Sequence, residues 1–133
     1  MATIKIVLTL SGDDFDPCGI KGVDDSSATF FRRKDELLKN GRQFGHTEWG
    51  VRIGPTNTLD LPEELHKFVL RYAKKINKML ELAEKNDAEW GILIDIIATE
   101  DSLPAMYFPK EFINFASEIH ADVGIDLGLY EGY

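Results

Sequence analysis

The sequence predicts an α+β domain: a two-layer sandwich in which a mainly antiparallel sheet carries two helices on one face, loosely ferredoxin-like. Five short stretches resemble strands, most of them by alternating apolar and polar residues. Two other stretches repeat apolar residues with the period of a helix, and each has one apolar stripe. A helix with one apolar stripe has one face to bury, so both helices are expected to pack on the same side of the sheet.

The first half of the chain contains three predicted strands. Residues 4–10 place alternate apolar side chains on one face, and residues 47–53 do the same with Trp49, Val51 and Ile53. Residues 28–33 are a third, shorter strand. The segment 11–25 is rich in Gly and Asp and predicts turns, with Asp16 before Pro17 as the cap of a single helical turn. Residues 34–46 are predicted as a loop and residues 54–58 as a turn.

The longest predicted element is a helix over residues 61–85. Asp60 and Glu63 form a capping pair at its start, with Pro62 in the first turn. Its apolar stripe consists of Leu65, Val69, Tyr72, Ile76, Met79 and Ala83.

Strand, helix and strand complete the predicted order. The strand covers residues 90–98, the second helix begins near Pro109, and the closing strand covers residues 123–130. The stripe of the second helix is Phe112, Phe115, Ala116 and Ile119. We expect Leu65, Val69, Tyr72 and Ile76 of the long helix to be buried against Ile4, Ile6, Ile92, Ile94, Ile125 and Leu127.

Length and composition predict one domain, residues 1–133, in a reducing compartment. A chain of 133 residues suits a single core. The lone Cys18 cannot form an intramolecular disulfide. The N-terminus lacks the features of a signal peptide, and no apolar stretch is long enough to cross a bilayer. A cytoplasmic protein without a membrane partner is therefore expected.

Charge is distributed unevenly along the chain, whose net charge is −8. Residues 1–80 hold 13 Lys or Arg and 11 Asp or Glu, a balance of +2, whereas residues 81–133 hold 2 and 12, a balance of −10. Such an acidic region repels nucleic acid and attracts a basic protein surface. The alternative interpretation is that the charge only keeps the protein soluble.

Short motifs for catalysis or cofactor binding are absent from the sequence. No nucleophile elbow, phosphate-binding loop or dinucleotide fingerprint occurs, and none of the three His lies at metal-ligand spacing from another. A Ser-His-Asp site built from distant residues stays open. Asp14, Asp16, Gly19 and Asp25 match some positions of a calcium loop, but an aspartate-capped turn is the favoured interpretation. We therefore expect neither a metal nor a cofactor.

Two clusters of charged residues could form binding surfaces. A basic stripe on the long helix consists of Lys67, Arg71, Lys74, Lys75 and Lys78. It could contact phosphate or RNA, but we favour a solvated helix face because the chain is acidic overall. Asp95 and Asp126 interrupt apolar strands and point away from the predicted core, as do Lys5 and Arg52. The two carboxylates could form an acid–base pair or part of a binding surface, but such residues more often pair with Lys or Arg or lie on an open sheet face.

Three segments resemble the DUF4279 family of small, mostly bacterial proteins. They are S-G-D-D-F-D-P at residues 11–17, E-W-G-V at 48–51 and G-I-D-L-G-L-Y at 124–130. The resemblance covers most of the chain and implies a stand-alone single domain with no defined reaction. Small acidic bacterial domains are often immunity proteins, which bind and block a toxin; this is an analogy of size and charge.

The sequence therefore favours a non-catalytic module that binds a basic protein, in its most specific form an immunity-type inhibitor of a toxin domain. The alternatives are a small enzyme that uses paired carboxylates and a ligand-binding or regulatory module. The sequence does not determine the oligomeric state. The expected partner-binding residues are Asp95, Glu118, Asp122, Asp126, Tyr130 and Glu131.

Overall fold

The computed structural model describes residues 2–35, 41 and 45–129, and it confirms the α+β class. The strands are β1 (Thr3–Gly12), β2 (Thr29–Arg32), β3 (Thr47–Asn57), β4 (Ala88–Ala98) and β5 (Asp122–Leu129). The α-helices are α1 (Leu61–Tyr72), α2 (Ile76–Asn86) and α3 (Lys110–Glu118), and short 3₁₀ turns lie at Pro17–Gly19, Ala73–Lys75 and Glu100–Ser102. Most of the predicted loop 34–46, and residue 130 of the predicted closing strand, lie outside the described residues.

The strands form one sheet in the order β2-β3-β1-β4-β5. β1 is central and antiparallel to both of its neighbours, β3 and β4. β5 is parallel to β4, because the chain passes through α3 between them and returns in the same direction. The sheet is therefore mainly antiparallel with one parallel pair, and β2 and β5 are its edges.

The core lies between one face of the sheet and the helices. Ile4, Ile6, Leu8 and Leu10 alternate along β1 and are all buried, as their spacing predicts. Ile92 and Ile94 continue this surface on β4. The buried side of the helical layer includes Leu65, Phe68, Tyr72, Met79, Phe112 and Phe115. Trp90 joins the two layers, because its indole N–H donates a 2.7 Å hydrogen bond to the carbonyl of Met79.

The predicted helix 61–85 is interrupted near its middle. α1 ends at Tyr72, residues 73–75 tighten into a 3₁₀ turn, and α2 begins at Ile76. Neither Gly nor Pro marks this point, so the sequence carries no local signal for the interruption. The predicted start is confirmed, since the Asp60 carboxylate accepts a hydrogen bond from the backbone N–H of Glu63. Asp87, with a positive φ of 49°, ends α2.

The turn predicted at 54–58 is wrong, because β3 continues to Asn57. The register with β1 shifts between Ile4 and Ile6, so the strand continues past an irregularity. Gly54 has a φ of +93°, and a Cβ there would lie 2.8 Å from the carbonyl oxygen of Ile4. The glycine marks a bulge rather than the end of the strand.

The predicted burial of Ile125 and Leu127 is also wrong. Their side chains are on the core side of the sheet, but Ile125 is 51% exposed and Leu127 is 38% exposed. β5 is an edge strand, and the helices cover β1, β3 and β4 without covering it. Leu65, Val69 and Tyr72 are buried as expected, and Ile76 is partly buried.

Asp16 caps the 3₁₀ turn that begins at Pro17, as predicted. Its carboxylate accepts a 3.1 Å hydrogen bond from the backbone N–H of Cys18. Asp16→Ala is therefore expected to lower the free energy of unfolding by about 0.5–2 kcal/mol, measured by urea denaturation. Calcium titration of the unaltered protein should give no heat of specific binding. A micromolar calcium site lost in the variant would show that Asp16 is a ligand instead.

Candidate functional site: the open sheet face

The face of the sheet opposite the helices is uncovered in the described part of the chain. The registers align its side chains in rows across the strands. Lys5, Asp95 and Asp126 form one row on β1, β4 and β5, and Val7, Leu93 and Gly124 form the next. We call this surface the open face.

Charged groups on the open face are partly paired with each other. The Lys5 ammonium lies 3.5 Å from the Asp95 carboxylate, and both side chains are about one-third exposed or less. Asp126 lies beside Asp95 in the register and is exposed, with no ion pair among residues 2–35, 41 and 45–129. The row therefore presents at least one carboxylate that a cationic partner could neutralise.

Apolar side chains lie beside these carboxylates. Leu93 is 42% exposed and Ile97 is 44% exposed. Their neighbours on β5 are glycines, and a Cβ at Gly124 would lie 3.6 Å from the Leu93 side chain. The glycines leave the flanks of Leu93 and Ile97 accessible, so that a partner could contact them.

An aromatic–cation contact lies on the β2–β3 side of the open face. The Arg52 guanidinium carbon is 3.7 Å from the centre of the Phe30 ring. Phe30 can lie across β3 only because residue 50 is glycine: a Cβ there would be 2.6 Å from the ring. Arg52 points to the open face, as the sequence predicted, and there it packs on an aromatic ring.

The predicted partner-binding residues separate into three groups. Asp95, Asp122 and Asp126 are brought together on the open face, since they alternate in the same phase on β4 and β5. Glu118 lies near the end of α3, in the helical layer. Tyr130 and Glu131 lie outside the described residues, so their roles stay predictions.

A second polar cluster, which sequence reasoning missed, joins the loop before β2 to α1. The Asp24 carboxylate accepts hydrogen bonds from the Tyr72 hydroxyl at 2.5 Å and from Arg71 at 2.6 and 3.0 Å. It also accepts one from the backbone N–H of Ser26. Asp24 has a side chain only 6% exposed, although it comes from a loop rich in solvent-exposed aspartates.

Burial and hydrogen bonding shift both titrating groups of this cluster. Burial alone would raise the pKa of Asp24, but the hydrogen bonds from Tyr72, Ser26 and Arg71 outweigh it and hold the pKa below its ordinary value of 3.8. Burial, and then the bond to Asp24, raise the pKa of Tyr72 far above its ordinary range. The cluster is ionised on Asp24 and neutral on Tyr72 at neutral pH, which suits a structural link.

The basic stripe on the long helix is partly neutralised by neighbouring acids. Arg71 is bound to Asp24, the Lys67 ammonium lies 3.5 Å from Glu64, and the Lys78 ammonium lies 3.7 Å from Glu81. This pairing favours the interpretation of a solvated helix face over that of a phosphate or RNA contact.

The histidines do not form a metal centre in the described ranges. His66 is bound to Glu111 at 2.5 Å, and this hydrogen bond raises the pKa of His66 above 6.5. No group of three or more His, Cys, Asp or Glu residues in those ranges could hold a metal ion.

Within residues 2–35, 41 and 45–129, every helix is too short or too polar to span a bilayer.

An open groove of about 790 Å³ lies at the end of the sheet where β1 finishes and β4 begins. Acidic side chains at its rim are Glu84, Asp87 and Glu89, and His120 and Trp90 also line it. The groove could accept a small cationic ligand. No local pattern in the sequence predicts this groove, because its lining residues come from separate elements.

The fold and this surface define the class of protein: a small α+β domain with helices on one sheet face and an exposed, mixed apolar and acidic surface on the other. The chain belongs to the DUF4279 family, a domain of unknown function whose family model matches residues 2–130. The resemblance predicted from the three short segments is thus confirmed over nearly the whole chain. No curated protein and no solved structure matches this chain.

Proposed function

We propose that this chain is a non-catalytic module that binds a basic protein through its open face, and that its specific form is an immunity-type inhibitor of a toxin domain. The observation that supports the proposal is the grouping of Asp95, Asp122 and Asp126 with half-exposed Leu93 and Ile97. Carboxylates beside accessible apolar side chains are the chemistry by which a protein surface attracts and holds a basic partner.

The two kinds of group have different tasks in this proposal. Carboxylates of the acidic region, whose balance is −10 over residues 81–133, raise the rate of encounter with a positively charged cleft. Leu93 and Ile97 lose water on binding and so slow dissociation. A partner of opposite charge is required, which argues against nucleic acid.

The alternative of a carboxylate enzyme rests on the adjacency of Asp95 and Asp126. Against it, Asp95 already pairs with Lys5, and both residues lie on an uncovered sheet face rather than in a cleft that could exclude water. A ligand-binding module is supported by the acidic groove at the end of the sheet. We rank both below the protein-binding proposal.

Charge reversal at the open face tests the proposal. The double variant Asp122→Lys with Asp126→Lys should slow association with the basic partner by roughly tenfold at low salt, because steering depends on the local field. The first candidate partner to test is the product of the gene next to the one that encodes this chain. The effect should shrink at physiological salt, where charges are screened beyond about 8 Å. Stopped-flow or surface-based kinetics at two salt concentrations measure it.

Glu63→Lys with Glu81→Lys is the matched control, since this double variant makes the same charge change on exposed residues of the helical layer. It should alter association much less, and all variants should keep nearly the same melting temperature, because these charges are exposed. A complex whose association ignored salt and both reversals would contradict steering by this face. Turnover of a small molecule that is lost in Asp95→Asn or Asp126→Asn would instead support the enzyme.

A further inference from the structure

The two edges of the sheet are built differently. β2 is short, with four residues that end in Arg32, and the next residue, Arg33, lies over the Phe31 ring at 5.5 Å. Short length and charge are devices that prevent an edge from pairing with another chain. β5 has eight residues in unbroken register with β4, and residues 122–129 include no Lys, Arg or Pro. The β5 edge is therefore long and regular, and its two charged residues, Asp122 and Asp126, both lie on the open face, away from its apolar row.

β5 also presents apolar side chains to solvent. All eight of its residues are exposed, including four large apolar residues that share the core side of the sheet. Their exposed fractions are 37% for Val123, 51% for Ile125, 38% for Leu127 and 52% for Leu129. A long edge with an uncovered apolar row is a template for strand pairing.

The sequence of this edge is complementary to itself when reversed. Residues 121–129 read A-D-V-G-I-D-L-G-L. If two copies pair antiparallel about a twofold axis at Ile125, Val123 faces Leu127 and Ala121 faces Leu129. In the same register each aspartate, Asp122 or Asp126, faces a glycine. Every apolar residue then has an apolar partner, and no carboxylate directly faces another.

We propose that β5 pairs with β5 of a second copy of this chain, antiparallel about Ile125, to form a closed dimer with one continuous sheet. The pairing joins the two apolar rows between the helical layers and satisfies both free edges, as an isologous interface requires. The twofold axis is perpendicular to the sheet, so each face continues across the junction.

Neighbouring registers are less favourable than the antiparallel register centred on Ile125. A shift in one direction places Asp126 opposite itself, and a shift in the other places Asp122 opposite Asp126. Like charges directly opposite destabilise a strand pair. The self-complementary pattern thus selects one register, in which the β5 edge pairs with β5 of a second copy.

The dimer goes beyond the proposed function and is compatible with it. Asp122 and Asp126 alternate onto the open face, where they stay accessible after the edges pair. Two copies would present their acidic open faces side by side, a larger surface for a basic partner.

The test is the mass of the unaltered protein in solution. Sedimentation equilibrium over roughly 1–100 µM should show a rise from 15.0 kDa towards twice that mass, as an interface one strand wide should be weak. Higher salt should tighten the dimer, because it screens the repulsion between two copies of charge −8. Binding to a basic partner would weaken under the same change.

Two isoleucines of equal exposure give a matched pair of variants. Ile125→Lys places two ammonium groups opposite each other and should weaken the dimer by at least about tenfold. Ile113→Lys, at a 52% exposed position on α3, makes the same change away from β5 and should not weaken the dimer. Equal loss in both variants would assign the dimer to another surface.

A second substitution should strengthen the dimer, and misfolding of the variant could not produce this effect. Gly124→Lys puts a lysine opposite Asp126 of the other copy, twice per dimer, and should tighten it roughly fivefold. Gly19→Lys, where a Cβ meets nothing within 4 Å, controls for the change in net charge. A mass of 15.0 kDa throughout the range, or assemblies that grow beyond two copies, would overturn the proposal.

Discussion

Replacing Ile94 by alanine should lower the free energy of unfolding by about 2–5 kcal/mol. Ile94 is fully buried at the centre of β4, beside Ile6 of β1 in the antiparallel register. The substitution removes apolar burial and leaves a cavity between sheet and helices that a rigid core fills only in part. Urea denaturation followed by circular dichroism measures the loss.

Ile125→Ala is the control for this prediction. Ile125 lies directly beside Ile94 on the same side of the sheet, but its side chain is half exposed. The loss should stay below about 1.5 kcal/mol when the protein is dilute enough to be monomeric. Equal losses in the two variants would show that the helical layer covers β5 as well, and that our description of the edge is wrong.

Replacing Asp24 by asparagine should destabilise the fold by about 1–3 kcal/mol at neutral pH. The change weakens the charge-assisted bonds from Arg71 and Tyr72 at a carboxylate that is almost fully buried. The neighbouring Asp25 is exposed, so Asp25→Asn is the matched control and should change stability little.

The contribution of Asp24 should depend on pH in a defined direction. Its pKa is lower in the folded protein than the ordinary value of 3.8, so folding favours the ionised form. The stabilisation is then complete above that ordinary value and is lost as the pH falls through the lowered pKa. Urea midpoints of the unaltered protein and Asp24→Asn should therefore converge in acid. A constant difference down to about pH 2 would contradict an ionised, hydrogen-bonded Asp24.

Local patterns in the sequence were enough to predict most of the elements and the inner faces of the longer strands. The alternation at Ile4, Ile6 and Leu8 identified both β1 and its buried side, and the cap at Asp60 located the start of α1. These features depend on residues near each other in the chain. The sequence predicted only that Asp95 and Lys5 point to the same face of the sheet. Their ion pair depends on the register between β1 and β4, which the tertiary structure determines.

The sequence by itself determined the α+β class, the apolar face of every strand except the short β2, the main caps and the acidity of residues 81–133. Only the tertiary structure decided that β5 is an edge strand beyond the reach of the helices, so that Ile125 is exposed while Ile94 is buried. It also decided that Asp24 meets Arg71, 47 residues away. Hydrophobic periodicity specifies which way a side chain points, but burial depends on the order of strands and on what lies above them.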